Sequence, residues 1–176
     1  MRQQQTLSKS AFLSGVGLHS GSLGSIAIHP APSNTGVIFV KQVGDHIASC
    51  PATIQYLTQT DHCTTLQSGD FQVQTVEHVL SALAGLEIDN AYVEVLGNEI
   101  PAADGSAAPF VQMLEDCGLV LQGEPRSYIK IIQPIHVEDG QKSIAVLPSA
   151  LPRISYFIDF PHPLIQQQHY QHSCTP

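Results

Sequence analysis

Glu77 and His78 stand side by side in the stretch "TVEHVLSALAGL", at the head of an apolar run. A neutral imidazole is a zinc ligand, and a carboxylate next to it can take the proton of a metal-bound water. A catalytic zinc needs three protein ligands, yet the chain contains no H-x-x-x-H, H-E-x-x-H or H-x-x-x-D spacing. On pattern alone the pair therefore reads as the polar, solvated start of a core helix. His19 sits at the tip of "GVGLHSG", which is neither a P-loop nor a dinucleotide fingerprint. Its glycines allow a sharp turn or a close approach to a ligand, and the imidazole can donate to a polar substrate. The plain alternative is a hairpin turn carrying an exposed histidine. Asp61-His62-Cys63 has the residue types of a nucleophile cluster. Read as a strand, it sends His62 and Cys63 to opposite faces, leaving one thiol toward a cleft or the core. His169, His172 and Cys174 have loose metal-binding spacing in what reads as a tail, where capture of metal would be adventitious. Asp104-Gly105 reads as a turn, with Ser106 as a helix cap.

The elements that must position these residues change period along the chain. "SIAIH" (25–29), "GVIFVK" (36–41) and "FQVQ" (71–74) are β-branched or alternate with period two, and "PAPSNTG" and "SGD" between them are turn chemistry. Val76, Val79, Leu80, Leu83 and Leu86 then follow helical spacing, with Thr75 as the expected N-cap and Gly85 near the end. That places Glu77 second and His78 third in the helix. A strand "NAYVEVLG" follows, then the loop "NEIPAADGS". In a second helix Pro109 suits the first turn, Phe110, Val111 and Leu114 face inward, and Cys117-Gly118 closes it. "YIKIIQPIHVE", "SIAVLP" and "ISYFIDF" are again strand-like. The expectation is an α+β fold: residues 1–124 form a sheet with two amphipathic helices on one face, 125–165 are the first strands of a second, incomplete domain, and 166–176 are an unstructured tail.

Composition narrows the function classes. The 176 residues carry 7 Lys+Arg against 15 Asp+Glu, a formal charge of -8, with no basic run to neutralise phosphates, so nucleic acid is not an expected partner. Cys50, Cys63, Cys117 and Cys174 lie far apart without a C-x-x-C pair, which argues against a zinc ribbon or a dense disulfide framework and for a reducing compartment. With no apolar segment of transmembrane or signal-peptide type, the chain reads as soluble and cytoplasmic.

Taken in order and spacing, "SGVGLHSG", "PAPSNTGVIF", "TVEHVLSALAGLEIDNAYVEVLGNEIPAADGSAAPFVQML" and "IDFPHPLI" resemble the UDP-3-O-acyl-N-acetylglucosamine deacetylase family of lipid A synthesis, from about Gln5 to Ile165. The resemblance implies a cytoplasmic Zn²⁺ amidohydrolase that removes acetate from a UDP-linked, acylated glucosamine. It further implies two α+β layers of similar topology, packed helix to helix with the metal between them. By the same resemblance His78 is a zinc ligand and Glu77 the general base. His19 is implied to be a substrate-facing histidine of the cleft, Cys63 a cysteine near the metal that is not required as a ligand, and Asp104 structural support. The family's other two ligands, in an H-K-x-x-D motif, and its general-acid histidine have no counterpart here. A truncated or frame-shifted product is the expectation, self-associating through an uncovered helical face. The alternative is a non-catalytic homologue that binds the nucleotide-sugar or a partner chain.

Overall fold

The computed structural model describes residues 2–174, and the chain divides into two units between Arg126 and Ser127. In the first unit the strands are β1 (Gln3–Leu7), β2 (Ala11–Val16), β3 (Leu23–Pro30), β4 (Val37–Val43), β5 (His46–Pro51), β6 (Leu57–Gln59), β7 (Thr65–Ser68) and β8 (Phe71–Gln74). Helix α1 (Glu77–Gly85), β9 (Ala91–Leu96), α2 (Ala108–Glu115) and β10 (Leu119–Pro125) complete it. The second unit holds β11 (Ile135–Asp139), β12 (Lys142–Val146), β13 (Arg153–Phe160) and β14 (Gln166–Ser173). The fold is α+β.

One five-stranded sheet has the order β2-β3-β9-β4-β5, antiparallel except for the parallel β4–β9 pair. Alternation puts Ile26, Ile28, Phe39, Cys50, Val93 and Val95 in the core, where Val79 and Leu83 of α1 and Phe110 and Leu114 of α2 also lie buried. The sequence periods are thus satisfied by burial, at about 25 cal/mol per Å² of apolar surface. A second sheet, β6-β7-β8, buries Leu66, Phe71 and Val73 and delivers the chain from β8 to the head of α1. A ribbon of β1 and β10 closes the unit. Beside it, buried Asn90 donates to Gln4 and Gln122 and accepts from the Gly36 N–H, so its polar atoms are satisfied. The sequence places the first boundary at 124/125. In the structure the ribbon runs to Pro125, and Arg126 is tied back by its N–H to the Arg2 carbonyl and by an ion pair to Asp89 at 3.2 Å.

Both helix ends depart from the expected chemistry. Val76, not Thr75, occupies the N-cap position of α1, so Glu77 is the first helical residue and His78 the second. Thr75 has φ +61°, outside the extended region an N-cap residue adopts, and its hydroxyl is engaged elsewhere. At the C-terminus Glu87 takes the left-handed position with φ +57°, while the Ile88 N–H donates to Leu83 and the Glu87 N–H to Ala84. This is a Schellman closure built on a glutamate. Pro109 falls in the first turn of α2 as expected, and Gly118, φ +70°, ends it.

The second unit corrects the expected tail. Residues 166–173 form β14, paired residue for residue with β13 from Arg153↔Ser173 to Phe160↔Gln166. Backbone ladder bonds need no apolar alternation, so a Gln- and His-rich segment is a strand when its partner is supplied. Conversely, 127–134 is not a strand despite its isoleucines.

Exposed large apolar side chains lie on strands and loops of both units, Phe12, Leu23 and Leu96 of the first among them, and not on α1 or α2. Leu80, Val111 and Met113 pack against the core. Ile135, Val137, Ile144 and Val146 share one exposed face of the β11–β12 hairpin, and Ile154, Tyr156 and Tyr170 share one of β13–β14. Apolar patches beyond a few hundred Å² mark interfaces or aggregation sites. The chain is therefore expected to self-associate through these hairpin faces, not through α1 and α2. Light scattering and an apolar-surface dye check this, and a monodisperse monomer without dye binding would refute it. Among the described residues no helix is long and apolar enough to cross a membrane.

Candidate active site

Three connections meet at the head of α1. The 60–64 turn, which is not the strand expected for Asp61-His62-Cys63, is bent by His62 at φ +64°. It presents the Thr64 N–H to Glu77 Oε2 at 3.0 Å. One carboxylate oxygen of half-buried Glu77 is thereby fixed, and among the described residues Oε1 has no hydrogen-bond partner. Cys63, one residue earlier, is half-buried with its Sγ 3.7 Å from Thr65 Oγ1. The turn places this thiol one residue from the amide that holds Glu77, without joining it to a histidine.

The second connection is Glu99, which the sequence did not single out. Its side chain is 5% exposed, and a buried carboxylate must find donors. Oε1 accepts from the His19 N–H at 2.9 Å and the Thr75 hydroxyl at 3.1 Å, and Oε2 accepts from the Ser20 N–H at 2.8 Å. Burial pushes this carboxyl up, but the His19 N–H, the Ser20 hydroxyl and N–H and the Thr75 hydroxyl together bring it down to about 2. Glu99 is therefore ionised at neutral pH. His19 is held by its backbone, and its exposed ring is left available.

The third is the loop 97–107. The Ala102 N–H donates to the Val16 carbonyl, stitching this loop to the strand that enters "GVGLHSG". Asp104 closes its own turn by accepting from the Ser106 N–H at 2.9 Å and hydroxyl at 2.8 Å, and Ser106 in turn accepts from the Ala108 N–H at the start of α2. The Ser106 hydroxyl and then its N–H hold the Asp104 carboxyl below its ordinary value, with the His78 charge acting in the same direction.

Backbone and Glu99 links thus tie together the segments that carry Glu77, His78, His19, Cys63 and Asp104, and among the described residues no hydrogen bond joins the first four side chains to one another. His78 is the candidate metal ligand. The described residues contain no group of three His, Cys, Asp or Glu able to hold an ion, so this donor set does not by itself fit a catalytic zinc. The other histidines do not help. His169 and His172 lie three apart on β14 and so on opposite faces, one bonded to Ser155 and the other stacked on Tyr170.

Residues 4–176 match the family described as UDP-3-O-acyl N-acetylglycosamine deacetylase. The chain is 43% identical over 168 residues to the UDP-3-O-acyl-N-acetylglucosamine deacetylase of Pseudomonas entomophila (strain L48). Identity to the protein of that name from Legionella pneumophila (strain Corby) is also 43%. Each alignment covers 96% of this chain and 55% of the relative, so the chain spans about half the length of the curated relatives it matches.

Proposed function

Because the chain belongs to the UDP-3-O-acyl N-acetylglycosamine deacetylase family, we propose that it carries the base-bearing half of a deacetylase site for lipid A biosynthesis. The substrate is UDP-3-O-acyl-N-acetylglucosamine, whose acetamide is hydrolysed to acetate and a free amine. The observation that carries this reading is the held Glu77: Oε2 is pinned by the Thr64 N–H while Oε1 has no hydrogen-bond partner among the described residues. A carboxylate so oriented takes the proton of a water attacking the acetamide carbon. His78, next in the helix, is the ligand this chain offers to a zinc ion, and the other ligands must come from outside the chain's described residues. His19, on a loop fixed through its own amide, faces the sugar-nucleotide, and Cys63 borders the site.

The test is acetate release from this UDP-sugar when the chain is extended with, or mixed with, the rest of a relative's length. Turnover at rates ordinary for enzymes, about 1 per second or more, is expected. A folded, zinc-loaded assembly that binds the UDP-sugar and releases no acetate would overturn the reading in favour of a nucleotide-sugar-binding homologue.

A further inference from the structure

We propose that Glu99 is the positioning residue of this site, a buried carboxylate that sets the His19 loop and the head of α1 at a fixed separation. The proposal deepens the deacetylase reading and rests on it. Two segments 56 residues apart in sequence, His19-Ser20 and Thr75, converge on one carboxylate through three donors. Among the described residues neither segment bonds to another carboxylate. His19 and Ser20 lie in an exposed turn whose internal backbone bonds are Gly17–Ser22 and Gly21–Gly17. Thr75 is a β-branched residue at φ +61°, a conformation that persists only when its surroundings over-determine it. Its hydroxyl on Glu99 is part of that constraint.

The carboxylate is itself immobilised on both sides along its chain. The Gln74 N–H donates to the Asn98 carbonyl at 2.9 Å, and the Ile100 N–H donates to the Gln74 carbonyl at 3.0 Å. Glu99 therefore sits on a short parallel bridge to Gln74, one residue before Thr75 and three before Glu77. Any displacement of the 98–100 backbone moves the base and the His19 loop together. The arrangement leaves the His19 ring, Glu77 Oε1 and the His78 ring free of structural duty, because the amides and the threonine hydroxyl do the holding. Glu99 touches no reacting atom in this scheme.

The test needs neither substrate nor turnover, so its result stands apart from the deacetylase reading. Amide hydrogen exchange and ¹H–¹⁵N spectra of the 176-residue chain are compared with those of Glu99→Gln and Thr75→Val. In Glu99→Gln, exchange at His19, Ser20 and Thr64 is expected to rise about ten-fold or more, the size of effect that loss of one charge-assisted hydrogen bond gives. The downfield shifts of the His19 and Ser20 amide protons should be lost with it. Thr75→Val cuts only the helix-side bond, so Thr64 should lose protection while His19 and Ser20 keep theirs. In both variants the Ile28 and Val93 amides of the central sheet should exchange at the parent rate. Unchanged Thr64 exchange in Thr75→Val would overturn the proposal, and so would a uniform rise that includes Ile28 and Val93. If Glu99→Gln does not fold, the Thr75→Val pattern alone decides.

Discussion

Dialysed against a mild chelator, the 176-residue chain is expected to retain far less than one zinc per molecule and to release no acetate from UDP-3-O-acyl-N-acetylglucosamine. Three protein ligands hold a catalytic zinc in an open tetrahedral site, and a single imidazole cannot do so against a chelator. His78 stands alone in its helix, and the described residues bring no further pair of His, Cys, Asp or Glu beside it. The β14 histidines offer no substitute, since the pleat sends them apart and each already has a neighbour. Metal content by atomic emission and acetate by an enzyme-coupled assay check both halves. Stoichiometric, chelator-resistant zinc together with chelator-sensitive acetate release by this chain alone would sink the expectation, and would send the search for ligands to His19 and His62.

In a chain extended to the length of its relatives, Glu77→Gln should lower kcat by about 100-fold or more, near 2.7 kcal/mol of transition-state stabilisation, with zinc content unchanged. The substitution is close to isosteric. A glutamine oxygen can still accept the Thr64 N–H, so the 60–64 turn keeps its place, while the ability to take a proton is lost. His78→Ala should lower zinc content as well as turnover. The two variants thus separate a base from a ligand by metal analysis. Near-normal turnover in Glu77→Gln would remove Glu77 from the chemistry.

The parts of this fold that were legible in the sequence are those whose burial is periodic. Val76, Val79 and Leu83 announce a helix because one face of it is covered, and the alternation of "AYVEVL" announces β9 because that strand buries Ala91, Val93 and Val95. Other features were not legible because a specific pairing fixes them and no period does. β14 has no apolar alternation and exists through its ladder to β13. Thr75 has the composition of an N-cap, but its hydroxyl is claimed by a carboxylate 24 residues later, and the cap falls to Val76. No motif in the local pattern around Glu99 marks it as a buried acid. The single hint in the sequence was its position directly before Ile100 and Pro101, both of which are buried. An acid in the middle of an apolar descent into the core must be compensated, which is a physical signal although not a motif.

Glu99 also constrains which sequences this fold can drift through. A Cβ built on Gly17 would overlap the Glu99 carboxylate and the Ser20 hydroxyl, and one built on Gly24 would meet the Glu99 carbonyl at 3.1 Å. Position 17 therefore accepts no side chain while position 99 carries its acid, and an acid at 99 loses its amide donors if the 17–22 turn opens to admit one. Neither site can change first at low cost. In a mutational library the two should behave as one locus: single substitutions at 17 depleted, and survivors at 17 found with a shorter residue at 99 and a change at 20. The apparent freedom of a glycine-rich surface loop is, at this residue, set by the buried charge packed against it.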